Sequence, residues 1–209
     1  WEDHDFLYYY VVYHVAVLAH STPDESQRDL YYQVNTELAF ETAKLAKRSG
    51  VRQFIFMSSI IVYGSGKVGE DRVITKSTPL TPDNFYGDSK KQAEIKLQSL
   101  KEDGFKVVIL RPPMIYGPKS KGNYPMLSKL AKKTPIFPDM KNQRSMLYIG
   151  NLVEFVRLMI ENEEDGVFLP QNDEYTCTSE MVKEIASVHH HKILFTRLFN
   201  PIIRLMKKE

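Results

Sequence analysis

The feature that most constrains this chain is an alternation of pattern. Short, nearly continuous apolar runs at residues 9–19, 53–60 and 106–110 are separated by longer stretches of helical period. A run that is apolar at every position suits a strand covered on both faces, and such strands belong to parallel sheets. Between the first two runs, residues 29–49 place Leu30, Val34, Leu38 and Leu45 on one helical face. Lys44, Lys47 and Arg48 gather at the C-terminal turns and Gly50 stops the helix. A second helix is expected from about Phe85 to Lys101, and Arg111-Pro112-Pro113 closes the third strand. Strand, helix, strand, helix, strand is the order of a parallel sheet built from right-handed crossovers. Past residue 118 the rhythm loosens. Helices are expected over residues 124–132, 152–162 and from Ser179, with short strands over 146–149 and 167–169.

Composition removes several classes. Of the 209 residues, 43% are apolar and 26% charged, as in an ordinary globular protein, and the net charge of +2 offers nucleic acid no special attraction. No stretch approaches the roughly 20 apolar residues a membrane helix needs. The single Cys177 excludes an intramolecular disulfide and fits a reducing compartment, so a cytoplasmic location is expected. His189-His190-His191 point in different directions on a helix and lack the spacing of a zinc site, so no metal is expected. The tail from Phe195 to Lys208, apolar and basic and broken by Pro201, suits core or dimer packing better than a membrane surface.

In open parallel sheets ligands gather at the carboxyl ends of the strands. Three such ends carry unusual residues: His14 to His20, Ser58-Ser59 and Arg111 to Pro113. Between the last two, a helix opens with Tyr86-Gly87-Asp88-Ser89-Lys90. The i, i+4 spacing puts phenol and ammonium one turn apart on the same face. A phenol of pKa about 10 is a poor base at neutral pH. A neighbouring cation favours the phenolate, which makes Tyr86 usable as a general base, with Ser59 to hold the substrate oxygen.

Longer motifs surround this pair. Phe54-Ile-Phe-Met-Ser-Ser-Ile-Ile-Val-Tyr-Gly64, Asn84-Phe-Tyr-Gly-Asp-Ser-Lys90 with Glu94, Leu110-Arg-Pro-Pro-Met-Ile-Tyr-Gly-Pro118 and Asn35 follow one another in order. With them the chain resembles the extended short-chain dehydrogenase/reductase superfamily, in its nucleotide-sugar epimerase/dehydratase branch. The resemblance implies an α/β, Rossmann-type doubly wound parallel sheet whose N-terminal strands are missing, with a small mixed α/β C-terminal substrate lobe. The expected division is a partial NAD(P)-binding domain over residues 1–118 and an interleaved substrate lobe over 119–209. It implies Ser59, Tyr86 and Lys90 as catalytic residues. Cofactor contacts would come from Val15, Ala16, Val17, Asn35, Ser58, Tyr86, Lys90, Pro112 and Pro113. Substrate contacts would come from His20, Ser59, Tyr86, Asn123 and Arg144, the last two for a diphosphate. The implied cofactor is NAD, with NADP open. The implied substrate is a UDP-hexose or its N-acetyl derivative, converted by a 4-epimerase for surface polysaccharide. A 4-ketoreductase or dehydrogenase, or a non-catalytic cofactor-binding member, is the alternative, and a homodimer is expected.

Departures from the pattern carry information of their own. No glycine precedes Gly50, so the family's GxxGxxG turn is missing. The chain therefore reads as a fragment, or as one whose leader is not shown, that is expected to bind NAD poorly by itself. Ile60 and Ile61 stand where a 4,6-dehydratase carries Asp-Glu, and neither moves a proton. Val17 occupies a usual Gly or Ala position, and Met114 a common asparagine.

Overall fold

The apolar runs become strands of one sheet, although shorter ones than the pattern suggests. The computed structural model of the chain describes residues 6–19, 24–66, 72–120, 123–198 and 200, and these fall into two compact units.

The first unit takes the described residues up to Ser65, Val73–Pro113 and Gly150–Pro170. Its sheet contains β1 (Val11–His14), β2 (Gln53–Met57), β3 (Lys106–Leu110) and β7 (Gly166–Phe168), all parallel, in the order β1-β2-β3-β7. Phe54, Ile55, Phe56, Val108 and Leu110 are fully buried, which accounts for their unbroken apolarity. The first strand was expected to continue to Ala19 but ends at His14. Beyond it the backbone is held by a side chain instead of a strand, because Asn35 bonds both the N–H and the carbonyl of Leu18.

The first long helix is α1 (Arg28–Tyr32), a π-helical turn (Gln33–Glu37) and α2 (Leu38–Arg48) run together. Its buried face differs from the expected one. Ala39, Ala43 and Ala46 are fully buried against Phe54 and Phe56, whereas Leu30 is 47% exposed. Small side chains let the helix backbone approach the sheet closely, and close packing favours that over a wider leucine-filled gap. α3 (Phe85–Gln98) adds Ala93 and Leu97 to the same core. Asn84 caps it, its Oδ1 accepting the Gly87 N–H at 2.8 Å. On the other face of the sheet, Gln53 donates from Nε2 to the carbonyl of Met159 (2.8 Å), near the end of α5 (Ile149–Glu161). Helices on both faces of a parallel sheet make the doubly wound arrangement expected from the pattern.

The second unit takes Gly66, Arg72, Met114–Ile149 and the described residues from Gln171 on. Two parallel strand pairs build it: β4 (Met114–Tyr116) with β6 (Met146–Tyr148), and β5 (Ile136–Pro138) with β8 (Leu194–Thr196). Between them lie α4 (Asn123–Ala131) and α6 (Thr178–Val188), packed around Ala131, Phe137 and Val182. Of the three-residue strands, β6 and β7 fall where strands are expected over 146–149 and 167–169, while β5 and β8 escape sequence inspection. Among the described residues no helix is long and apolar enough to cross a membrane.

Candidate active site

The strand ends of the first unit collect the expected residues. β2 stops at Met57, and Ser59, in extended conformation, caps a 3-10 turn over Ile60–Tyr63. Its hydroxyl accepts the Ile61 N–H at 3.3 Å, and its proximity lowers the pKa of the Tyr86 phenol. Two glycines make this approach possible. Gly64 ends the turn at φ +73°, where a side chain would collide with the Thr81 carbonyl. At Gly87, a Cβ would stand 2.9 Å from the carbonyl oxygen of Ile61, so only glycine lets the start of α3 lie against the turn.

Tyr86 lies edge-on to Tyr31, with ring centroids 6.0 Å apart. Burial raises its pKa above the ordinary phenol value, the Ser59 hydrogen bond lowers it, and burial prevails. The lowering expected from Lys90 does not appear among these causes. Lys90, one turn further, is 1% exposed, and its Nζ donates to the carbonyl of Met57 at 2.9 Å. The ammonium sits 4.5 Å from the Phe56 ring centroid. Burial pushes its pKa down to about 7, against the charge of Glu94, which raises it.

His14 faces the same region from β1. It is buried, stacked on Phe54 and Phe56, and its Nε2 has no hydrogen-bond partner among the described residues. Burial, with the charge of Lys90 second, lowers its pKa to about 4, so the ring is neutral.

The residues expected to touch a cofactor divide in two. Val15 and Val17 are 52% and 40% exposed and Ala16 is exposed, so the segment after β1 presents an open surface. Pro113 is half-buried beside the buried Pro112, whose carbonyl accepts the Ile60 N–H at 3.0 Å. Asn35 and Ser58, by contrast, are engaged within the protein. The Asn35 amide binds Leu18 and the Ser89 hydroxyl, and the Ser58 hydroxyl donates to Glu94. Residues 20–23 lie outside the described residues, and with them His20; the side chain of Asn123 does too. Arg144 is exposed in the second unit, its backbone paired with that of Thr176. The same unit holds a cavity of about 250 Å³ lined by Ile115, Gly117, Pro118, Lys119, Ser120 and Ile149. Among the described residues no three His, Cys, Asp or Glu side chains gather as metal ligands would.

Sequence reading missed one constellation. Glu94 and Arg111 form a buried, doubly bonded ion pair, with Nε–Oε1 at 3.0 Å and Nη2–Oε2 at 2.5 Å, that also engages Ser58 and Tyr63. The signal for it is a carboxylate four residues after Lys90, together with an arginine that ends an apolar strand.

Comparison with known proteins places this geometry in context. Residues 6–169 match the model of the NAD dependent epimerase/dehydratase family. The chain is 38% identical over 184 residues to a UDP-glucose 4-epimerase of Vibrio cholerae, covering 84% of this chain and 56% of that protein. It is 34% identical over 157 residues to the N-acetyl-alpha-D-glucosaminyl-diphospho-ditrans,octacis-undecaprenol 4-epimerase of Escherichia coli O157:H7, covering 73% and 46%. The chain thus spans about half the length of these curated relatives. The UDP-glucuronic acid 4-epimerase of Bacillus cereus, solved in complex with NAD, superimposes with a TM-score of 0.76 at 18% identity, over 92% of this chain and 64% of that one. That likeness establishes the Rossmann-type fold. With the family model matching most of its length and two relatives above 30% identity, the chain belongs to the NAD-dependent epimerase/dehydratase family.

Proposed function

We propose that this chain carries the proton-transfer half of an NAD(P)-dependent enzyme acting at C4 of a nucleotide sugar. A UDP-hexose or UDP-N-acetylhexosamine 4-epimerase is the leading form. The observation that carries the reading is the placement of Ser59 just past the end of β2 and of Tyr86 and Lys90 in the first two turns of α3, with Ser59 acting on the Tyr86 phenol and Lys90 bonded to the Met57 carbonyl. The names of the relatives supply the substrate class.

The open segment Val15–Val17 and an ammonium with donors beyond the one given to Met57 fit the nicotinamide-ribose part of NAD. When bound, the nicotinamide supplies the hydride acceptor and donor. The protein's own work is proton handling. Ser59 holds the C4 oxygen in place, and Tyr86 removes the hydroxyl proton as the C4 carbonyl forms and returns it when the carbonyl is reduced. Lys90 holds the ribose hydroxyls and, while protonated, steadies the phenolate. Exposed Arg144, and Asn123 at the head of α4, are assigned to the substrate diphosphate, for which the guanidinium fork is suited. Ile60 and Ile61 supply no acid or base for dehydration at C5 and C6.

One observation favours a second reading. Burial keeps the Tyr86 phenol protonated well above neutral pH, and a protonated phenol is what reduction of a 4-keto sugar requires. A nucleotide-sugar 4-ketoreductase is therefore the alternative.

The test is titration of the chain with NADH and NADPH by fluorescence, followed by turnover assays with UDP-glucose, UDP-N-acetylglucosamine and a 4-keto sugar nucleotide. Micromolar binding and turnover that Tyr86→Phe abolishes support the reading. Binding of neither nucleotide, which the missing GxxGxxG turn leads one to expect of these residues alone, moves the same assays to a longer chain that carries that turn, and no turnover there would sink the reading.

A further inference from the structure

We propose that Glu94 is a positioning residue for the site, its carboxylate tying the ends of β2 and β3 to α3 so that Ser59 is presented to Tyr86 and a negative charge faces the Lys90 ammonium. This inference rests on the reading that Ser59, Tyr86 and Lys90 perform the chemistry.

The geometry is specific. Glu94 is 1% exposed and lies one helical turn beyond Lys90, as Lys90 lies one turn beyond Tyr86. Its Oε1 accepts from the Ser58 hydroxyl and from Arg111 Nε at 3.0 Å, and its Oε2 accepts from Arg111 Nη2 at 2.5 Å. Arg111 in turn donates from Nη1 to the Tyr63 hydroxyl at 2.7 Å. Ser59 is thereby bracketed. Ser58 is fixed on one side of it and Tyr63 closes the turn on the other, while the Ile60 N–H is held by Pro112, the residue after Arg111. A carboxylate on the helix that bears Tyr86 and Lys90 so determines where the neighbouring strand end presents its hydroxyl.

Stability alone is a weak reason for such an arrangement. Apolar residues of similar volume commonly replace a buried ion pair with no loss of stability, whereas a planar fork on a carboxylate sets direction and distance. Glu94 also faces Lys90 with a negative charge. The other groups around the ammonium are the neutral His14 from β1 and the Phe56 ring and Met57 carbonyl from β2, with Arg111, just past β3, bonded to Glu94. Of these, Glu94 alone brings a negative charge to oppose the burial that pushes Lys90 towards its neutral form.

Glu94→Gln is the test, read in two ways on the same 209-residue chain. Lysine-selective NMR follows the Lys90 ammonium through a pH titration, its signal assigned with Lys90→Arg. The expected result is a titration midpoint lower by roughly one pH unit than in the unmodified chain. Steady-state kinetics on the substrate identified above should show kcat lower by on the order of a hundredfold with KM little changed, as misplacement of a reacting group produces. An unmoved Lys90 midpoint, or an unchanged kcat, would overturn the proposal even if Glu94→Gln melts earlier, because a merely structural residue gives only the lower melting temperature. If Glu94→Gln does not fold, the double variant Glu94→Leu with Arg111→Met removes both charges together, and the same two shifts are required of it. Arg111→Lys keeps the Glu94 charge and should leave the Lys90 midpoint in place while lowering kcat. If neither the unmodified chain nor the longer one turns over a sugar nucleotide, the reading of the site falls by itself, and the NMR midpoint still decides whether Glu94 governs Lys90.

Discussion

Burial pushes both Tyr86 and Lys90 towards their neutral forms. For Tyr86 the consequence is a phenol more reluctant to ionise than a free one, so its removal is expected to cost a full general acid–base contribution. Tyr86→Phe should lower kcat by roughly 10²–10⁴-fold with little change in melting temperature, measured by sugar-nucleotide turnover beside a thermal melt. For Lys90 the consequence is a pH-dependent stability. The folded pKa of about 7 lies below the unfolded value of about 10.5, so between them the unfolded chain binds the extra proton. Stability therefore rises with pH across that window, and below about 7 the cost of burying the charge is fully present. Urea unfolding of the chain should gain on that of Lys90→Met by roughly 1 kcal/mol per pH unit as pH climbs from 7 to 10. Gly87 belongs to the same scale. Its missing Cβ makes room for the Ile61 carbonyl, so a methyl there forces α3 and the Ser59 turn apart.

Among the elements, the π-helical turn Gln33–Glu37 does the most to connect the two ends of the site. The extra residue in its loop turns both Asn35 and Thr36 inward, where an α-helical turn would spread consecutive side chains by about 100°. Thr36 donates to the Ser89 carbonyl at 2.7 Å and Asn35 to the Ser89 hydroxyl at 3.1 Å, which docks this helix on α3. The same Asn35 amide holds Leu18, and with it the open segment after β1. Asn35→Ala removes those three bonds, including both to the half-buried Leu18 backbone. It should destabilise the chain by about 1–3 kcal/mol, and hydrogen exchange should show the Leu18 amide losing protection ahead of β1. Residues 29–49 read correctly as a helix because their period survives. Its buried face was misread, since Leu30 and Leu38 outrank alanine in hydrophobicity although Ala39, Ala43 and Ala46 are the residues in the core.

At the scale of the whole first unit, a few buried polar groups join elements that are distant in sequence. Arg111 ends β3, Glu94 lies in α3 and Tyr63 closes the turn after β2, and one guanidinium meets both partners. Burial disfavours the Arg111 charge, yet the hydrogen bonds and charge of Glu94 raise its pKa above the usual value, so the guanidinium stays charged. Arg111→Met strands a buried carboxylate and should cost about 3–5 kcal/mol, read as a lower urea midpoint with an unchanged slope. His14 sets the acid limit of the same unit. Its folded pKa of about 4 lies below the ordinary 6.5, so stability falls as pH drops through that interval. His14→Phe should flatten the acid side of the stability profile between pH 6 and 4, as seen by thermal melts.

The sequence by itself determined the sheet and its helices, and offered Tyr86 and Lys90 as candidates by their spacing and Ser59 by its place in a family-like motif. The first two rest on local pattern: unbroken apolarity for a doubly covered strand, period for a helix. Only the tertiary structure decided what the candidate groups meet. That Asn35 and Ser58 bond within the protein, that burial pushes Lys90 towards its neutral form, and that Glu94 finds Arg111 across 17 residues all depend on chain segments brought together by packing. Burial and hydrogen-bond partners are properties of neighbours in space. No spacing along the chain encodes them.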